Sequence, residues 1–232
     1  MDTWIKFVIM IVAAYLLGSV PLSFLVAKSR GIDLRKQGTQ QVGGGNLWRT
    51  TSHALGLSIG IFDFIKGALM VFIASCIGLN AGEQLIVGLA AVVGHNWPVF
   101  LRFHGGRGIA ATIGIVIIMP ILNQSEITYW PLIAFAGLGL GTLIFFRRTP
   151  VPILIGLIAM PIASAISKDP YTVIMGYAAL TLILIIKRLI AEPSKGKRTI
   201  GMGEILLNRF LHDRDVRNRA DWVDRNREAK KD

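Results

Sequence analysis

The sequence predicts an all-α membrane protein, and three observations support this fold class. Hydrophobic residues make up 53% of the 232 residues and the mean hydropathy is +0.56, far above the values of a soluble domain. Apolar runs recur along the chain at lengths close to the roughly 20 residues that cross a bilayer as a helix. The net charge of +11 is concentrated between these runs and in the C-terminal tail. Such segregation of charge is typical of a membrane protein with several spans.

The apolar runs predict about seven transmembrane helices. Several runs are short, so some helices can end below the membrane surface, because spanning requires at least about 17 residues. In chain order the predicted spans are Ile5–Ala27, Ala54–Ile77, Leu85–Leu101, Gly108–Leu122, Trp130–Phe146, Val151–Ile166 and Tyr171–Ile186.

The basic residues predict the orientation of these spans. Cytoplasmic loops retain Lys and Arg, and seven spans with the N-terminus outside place 22 of the 25 Lys and Arg residues on the cytoplasmic side. The exceptions are Lys6, Lys66 and Lys168. We therefore expect an integral membrane protein with a cytoplasmic C-terminus. Topology and contact with membrane lipid explain the positive charge, so no nucleic-acid partner is expected.

The first span is predicted to be retained rather than cleaved. Only Lys6 precedes its apolar core, and no clear small-residue cleavage site follows. Gly18, Ser19 and Pro21 interrupt the run, which predicts close helix packing and a kink.

The segment Lys28–His53 is the longest polar stretch before the tail. It contains the run Gly43-Gly44-Gly45, followed by Asn46 and Arg49. Backbone without Cβ atoms lets consecutive N–H groups converge on an anion, and an arginine adds a fixed positive charge. This pattern predicts a phosphate-binding loop.

A second loop repeats the pattern within Gly94–Thr112. Arg107 stands among Gly105, Gly106 and Gly108, and a helix beginning at Gly108 would direct free amides to the same place. Both loops face the same side of the membrane in the predicted topology, which favours one shared phosphate pocket. The alternative is that the glycines only form turns and Arg107 only marks the cytoplasmic side.

Polar residues near these loops are candidates for catalysis or support. His95 and Asn96 end the third span, and His95 could act as a general base or as a hydrogen-bond donor to phosphate. Asp63 and Lys66 share one helix face within the second span, which favours an internal ion pair, with support of the loop cations as the alternative. The single cysteine, Cys76, allows neither a disulfide framework nor a cysteine metal site, and we expect no metal or cofactor.

The chain divides into a transmembrane domain, residues 1–190, and a basic cytoplasmic tail, residues 191–232. Apolar residues in the tail are scattered among many charges. This predicts one or two short amphipathic helices on the membrane or the protein, or a partly disordered tail. No oligomeric state follows from the sequence.

Three segments together resemble the bacterial integral-membrane acyl-phosphate:glycerol-3-phosphate acyltransferases. They are GIDLRKQGTQQVGGGNLWRT at Gly31–Thr50, FDFIKGA at Phe62–Ala68 and GHNWPVFLRFHGGRGIAAT at Gly94–Thr112. The resemblance implies acyl transfer from acyl phosphate to the 1-hydroxyl of glycerol 3-phosphate, giving lysophosphatidate without coenzyme A. It also implies seven helices, a location in the bacterial cytoplasmic membrane and an active site on the cytoplasmic face.

The resemblance assigns roles by position. His95, Arg107 and Arg49 are expected in catalysis, and the expected substrate-binding residues are Thr39, Gly43, Gly44, Asn46, Asn96, Gly105, Gly106 and Gly108. Thr39 stands where the family usually has serine, and Arg107 where it usually has lysine.

Other positions depart further from the family pattern. Gln40-Gln41 replaces a usual Gly-Asn, and Gly45 replaces a usual threonine. A third motif, a His and an Asn, would fall near Leu182 and Ile185, and neither polar residue is present.

Two alternatives follow from these departures and from the intramembrane charges. The missing third motif favours a catalytically impaired paralogue that binds lipid phosphates or regulates a partner. The Asp63–Lys66 pair favours a small transporter for a phosphorylated solute, although the chain has no internal repeat. A soluble-type acyltransferase mechanism is excluded, because no histidine has an aspartate five residues later.

Overall fold

The computed structural model describes residues 2–146, 150–190 and 201–217, and the regular structure within these ranges is helical. Residues 191–200 and 218–232 of the predicted tail lie outside the described residues, so the tail predictions concern them only in part. The α-helices are α1 Thr3–Ser19, α2 Leu22–Lys28, α3 Gly44–Thr50, α4 His53–Cys76, α5 Ala81–Asn96, α6 Ile109–Leu122, α7 Trp130–Phe146, α8 Pro150–Ile166, α9 Tyr171–Leu189 and α10 Met202–His212.

Each of the seven predicted apolar runs forms a helix or two consecutive helices. Within the described ranges, four segments are long and apolar enough to cross a membrane: Thr3–Lys28, His53–Cys76, Ala81–Leu101 and Tyr171–Leu189. Helices α6, α7 and α8 are apolar but contain only 14, 17 and 17 residues. At 1.5 Å per residue they reach about 21–26 Å, less than the ~30 Å hydrocarbon core. The seven-span count and the orientation of the termini stay predictions.

The break between α1 and α2 follows from Pro21 and is closed by a lysine from another helix. The Nζ atom of Lys66 donates to the backbone oxygens of Gly18 (3.1 Å) and Val20 (3.4 Å). These carbonyl groups lie where the chain leaves α1, so the ammonium group satisfies backbone acceptors that a continuous helix would satisfy itself. The buried charge of Lys66 thereby links α4 to the end of α1.

Glycines bring the central helices into close contact. A Cβ atom on Gly18 of α1 would collide with the Ala91 carbonyl group of α5, and one on Gly94 would collide with the Tyr15 carbonyl group. Helix α5 also packs against α4, α6 and α9, and its residues join a buried apolar cluster. The helix surfaces that face outward carry large exposed apolar residues, for example Ile61, Leu69 and Phe72, as expected for contact with lipid.

One end of the bundle collects the two glycine-rich loops. Residues 29–52 connect α2 to α4, residues 97–108 connect α5 to α6, and α10 packs against α8 and α9 near the C-terminal end of α9. We call residues 29–52 the first loop and residues 97–108 the second loop. Residues of both loops line one cavity at this end. That the loops share a phosphate pocket on one side of the membrane stays a prediction.

Candidate active site

A cavity of about 310 Å³ opens between the two loops, the end of α9 and the turn after α10. Trp97, Phe103 and Ile190 provide apolar parts of its wall. Five basic side chains and two acidic side chains also line it: Arg35, Arg102, Arg107, Lys187 and Arg214, with Asp213 and Asp215. The excess of basic over acidic groups suits a bound anion, because an anion must exchange its hydration for fixed donors and positive charge.

Arg107 lies at the centre of the polar contacts in this cavity, with its side chain 12% exposed. Its Nη1 atom donates to the Lys187 carbonyl oxygen at 2.7 Å, and its Nη2 atom lies 2.9 Å from Oδ1 of Asp213. With the Gln41 amide oriented so that its oxygen faces the guanidinium, that oxygen accepts from Nε (3.0 Å) and Nη2 (2.7 Å). Burial lowers the pKa of Arg107, and the Asp213 carboxylate opposes this change.

Glycines 105, 106 and 108 let the second loop lie directly on the end of α5. A Cβ atom on Gly105 would collide with backbone oxygens of His95 and Asn96, and one on Gly106 would collide with the His95 ring. Gly108 has φ +72°, a conformation that glycine adopts without steric cost, and α6 begins at the next residue. The glycines therefore fix the position of Arg107 by close packing, and the Gly106 N–H is already bonded to the His95 carbonyl oxygen (3.1 Å).

His95 is held by a buried carboxylate of α4. Its Nδ1 atom lies 3.4 Å from Oδ1 of Asp63, which also pairs with Nζ of Lys66 at 2.9 Å. The side chains of all three residues are nearly buried. The predicted ion pair is thus present, and it extends to the histidine, which sequence spacing alone could not show. Nε2 of His95 faces Gly106 closely.

Asn46 fastens the first loop. Its amide nitrogen donates to the backbone oxygens of Leu34, Gln37 and Gln41, and its oxygen accepts from the Thr39 N–H at 2.9 Å. The side chain is buried, and these bonds curl residues 34–41 around it. Asn46 therefore shapes the loop that brings Thr39 and Gln41 to the cavity.

Thr39 and Asn96 carry buried polar atoms that have no hydrogen-bond partner among the described residues. Thr39 lines the cavity, and its Oγ1 atom is the unpaired group. Asn96 is fully buried behind the second loop, with both amide atoms unpaired. Unpaired buried polar groups are costly, so a ligand at Thr39 would relieve part of this cost.

The structure brings only some of the predicted site residues to the cavity. Thr39, Gly105 and Arg107 line it. Arg49 donates to the Gly45 carbonyl oxygen within α3 (2.8 Å) and is exposed. The remaining predicted site residues also lie outside the cavity wall that the described residues form: His95, Gly43, Gly44, Asn46, Asn96, Gly106 and Gly108.

Sequence reasoning missed three groups that contact Arg107: Gln41, the Lys187 carbonyl group and Asp213. In the sequence, Gln41 was noted only as a departure from the family pattern, although its amide oxygen can accept from the arginine. At the position expected for the missing third motif, Leu182 is 57% exposed on the outer surface of α9 and does not line the cavity. The cavity instead receives Lys187 and Ile190 from the end of that helix.

The fold and the site define a helical membrane protein with a basic cavity at one end of its bundle. Residues 8–192 match the family model described as glycerol-3-phosphate acyltransferase. Glycerol-3-phosphate acyltransferase 4 of Dehalococcoides mccartyi strain CBDB1 is 38% identical over 234 residues, covering 97% of each chain. Glycerol-3-phosphate acyltransferase 5 of strain ATCC BAA-2266 is 36% identical over 228 residues, covering 95% of this chain and 94% of the relative. The chain therefore belongs to the glycerol-3-phosphate acyltransferase family.

Solved structures support the same fold. PlsY (YgiH), an integral membrane glycerol 3-phosphate acyltransferase crystallised in its glycerol 3-phosphate form, aligns with a TM-score of 0.69 and 27% identity over 79% of this chain and 88% of PlsY. Its lysophosphatidic acid form aligns with a TM-score of 0.70 and 24% identity over 94% and 98% of the two chains, which concerns the fold alone. The chain is thus similar to an integral membrane protein, in agreement with its own apolar helices.

Proposed function

We propose that this protein transfers an acyl chain from acyl phosphate to glycerol 3-phosphate in phospholipid synthesis, giving lysophosphatidate and inorganic phosphate. Family membership supports the acyl acceptor. The donor and the cytoplasmic location of the site are part of the proposal. The observation that carries it is the basic cavity whose wall includes both Arg107 and Thr39, a residue whose buried hydroxyl oxygen has no hydrogen-bond partner among the described residues.

Both proposed substrates carry a phosphate group, which matches the charge of the cavity. Arg107 supplies a fixed cation, and Thr39 supplies a hydroxyl group that can donate to a phosphate oxygen. Arg102 and Lys187 provide further positive charge on the wall, so the cavity can hold charge from two phosphates at once. Bringing two anions together requires such compensation, because their mutual repulsion otherwise opposes the encounter.

The acyl chain requires an apolar path from the cavity to lipid. Phe103 is 58% exposed and Ile190 is 63% exposed, and both border the cavity. A lipid chain lying against these side chains would keep its head at Arg107 while its tail stays in the membrane. Apolar contact along the chain would then orient the reacting carbonyl group.

The reaction needs alignment and charge stabilisation rather than a covalent enzyme intermediate. The 1-hydroxyl oxygen of glycerol 3-phosphate attacks the acyl carbonyl carbon, the new ester C–O bond forms, and the bond between the acyl carbon and the phosphate oxygen breaks. The hydroxyl proton passes to a phosphate oxygen of the substrate. His95 is nearly enclosed by Asp63 and Gly106, which supports this substrate-assisted route over transfer to the imidazole. Basic side chains stabilise the departing phosphate.

A transfer assay tests the proposed function. Purified protein in lipid is supplied with radiolabelled glycerol 3-phosphate and acyl phosphate, and in parallel with acyl coenzyme A. We expect labelled lysophosphatidate from acyl phosphate only. No product from either donor would contradict the enzyme assignment and favour an impaired paralogue, while uptake of label into sealed vesicles without product would favour a transporter.

Cysteine labelling tests the side of the membrane on which the cavity lies. Cys76 is exposed and must first be replaced by serine. Cysteines at Gln40 and His104, both on the cavity wall, should then react with an impermeant reagent only from the cytoplasmic side. A cysteine at exposed Ser125, in the turn between α6 and α7, should react only from outside. Reaction of the first two from the outer side would contradict a cytoplasmic active site.

A further inference from the structure

Helix α10 is fastened to the bundle by two nearly buried arginines. Arg188 donates to the Phe210 carbonyl oxygen (3.1 Å) and to the Pro150 carbonyl oxygen (2.8 Å). Arg209 donates to the Leu189 carbonyl oxygen (2.8 Å) and pairs with Asp215 (2.6 Å). Because unpaired buried charge is costly, these contacts strongly favour one docked position of α10 over the ends of α8 and α9.

This docking directs Asp213 into the cavity. Asp213 ends α10 in the left-handed region, with φ +58°, and its N–H donates to the Arg209 carbonyl oxygen at 3.0 Å. A residue other than glycine pays a modest energetic cost for this conformation. The turn carries the carboxylate to within 2.9 Å of Arg107, and this contact offsets the cost.

Three parts of the chain therefore hold one guanidinium group. Gln41 comes from the first loop, the Lys187 carbonyl group from α9 and Asp213 from the turn after α10. An arginine side chain is long and flexible, and fixing it in advance removes an entropic cost from ligand binding. The two carbonyl-type acceptors orient the group by hydrogen bonds, whereas Asp213 forms an ion pair with it, and the charges of Asp213 and, less strongly, Asp215 stabilise the guanidinium.

The cavity stays basic despite this carboxylate. Asp215, the other acidic residue of the wall, is paired with Arg209, and Arg35 is paired with Asp33, so Arg102, Lys187 and Arg214 still add positive charge to the wall. Asp213 thus lowers the attraction for a phosphate without cancelling it. Its contribution is a fixed position for Arg107.

We propose that Asp213 is a positioning residue of the active site and acts through Arg107, so that residues 202–217 are part of the catalytic unit. The inference deepens the proposed function and rests on it. The alignments with the two Dehalococcoides relatives, which cover 97% and 95% of this chain, extend beyond Ile190 into this segment.

Two substitutions at Asp213 separate its charge from its shape. Asp213→Asn removes the charge, whereas Asp213→Gly removes the whole side chain. Asparagine and glycine both tolerate a left-handed backbone. We expect kcat/KM for glycerol 3-phosphate to fall about tenfold in each variant with little change in thermal stability, a size within the range of coupling between contacting residues. Asp213→Glu keeps the carboxylate, so its kcat/KM should fall less than that of the other two variants.

Asp215→Asn is the matched control, because it makes the same charge change in the same turn but removes a contact to Arg209. It should lower the melting temperature more than the Asp213 variants do and lower kcat/KM less. A double-mutant cycle then tests the route of action. In an Arg107→Ala background, Asp213→Gly should change kcat/KM by less than about twofold.

The proposed function and this inference fail in different ways. An inactive parental protein would contradict the function, and the affinity for glycerol 3-phosphate, measured by calorimetry on the same variants, would still test Asp213. Unchanged kcat/KM and affinity in the Asp213 variants would overturn the positioning role. A rise in kcat/KM or in affinity would show that the carboxylate competes with substrate, which also overturns the proposal. So would an effect of Asp213→Gly on kcat/KM that is as large in the Arg107→Ala background as in the parental protein, because Asp213 would then act independently of Arg107.

Discussion

The two glycine-rich loops resemble each other in sequence but occupy different places in the structure. Each contains a glycine run followed by an arginine. In the first loop that arginine, Arg49, belongs to α3 and bonds back to Gly45 four residues earlier, while it faces solvent. In the second loop Arg107 precedes its helix and projects into the basic cavity. The place of each arginine relative to its helix, rather than its proximity to glycines, decides whether it lines the cavity.

The asparagines of the loops differ in the same way. Asn46 is bonded through its whole amide to the curled first loop, whereas Asn96 lies behind the second loop with both amide atoms unpaired within the described residues. The first loop thus contributes to the cavity through a fastened backbone that presents Thr39 and Gln41. The second loop contributes through close packing that fixes a cation. We interpret the pair as scaffold and anion site, respectively.

The largest effect is expected from Arg107→Ala. A cation paired with phosphate in a poorly solvated pocket is worth about 2–4 kcal/mol, so kcat/KM should fall roughly 30- to 900-fold. Arg107→Lys should retain more activity because it keeps the charge. Steady-state transfer of labelled glycerol 3-phosphate measures both variants. If the alanine variant turned over at the parental rate, the second loop would not be the anion site.

An intermediate effect is expected from His95→Gln. Glutamine keeps a hydrogen-bonding group but cannot act as a titrating base, and the proposed proton acceptor is the substrate phosphate. We expect a loss of about tenfold in kcat rather than the roughly 10²–10⁴ of a lost general base. Single-turnover rates with both substrates bound provide the measurement. A fall of three decades with unchanged substrate binding would make His95 the base.

The smallest effect is expected from Arg49→Ala, which directly sharpens the comparison of the loops. Arg49 is exposed and bonds to its own helix, and removing such a surface charge should change kcat/KM by less than about fivefold. The same assay, run beside Arg107→Ala, gives the ratio of the two effects. Equal losses in the two variants would mean that the first loop also binds phosphate through its arginine.

Much of the fold could be predicted from the sequence because burial in a membrane demands long apolar runs. The predicted span Trp130–Phe146 coincides with α7, and the predicted second and sixth spans differ from α4 and α8 by one residue at each shifted end. Pro21 correctly indicated a break in the first span, since proline cannot donate the next helical bond. The lengths of the apolar runs already indicated that some helices are short, but hydropathy could not show that the short helices α6, α7 and α8 pack into the same bundle.

The candidate site was only partly predictable, because its contacts join distant parts of the chain. Arg107 and Thr39 came from motifs within one loop each, and both line the cavity. Asp213 lies in a tail with many charges, and no local pattern distinguishes it from Asp215. The docking of α10 through Arg188 and Arg209 is what places Asp213 beside Arg107 and Asp215 beside Arg209. The link from Asp63 to His95 likewise depends on the packing of α4 against α5.

A structure of this protein with glycerol 3-phosphate bound tests the central claim most directly. The account predicts that the phosphate lies within hydrogen-bonding distance of the Arg107 guanidinium and the Thr39 hydroxyl group, with Arg49 still bonded to α3. A phosphate bound at Gly43–Gly45 and Arg49, with the cavity around Arg107 empty, would contradict it.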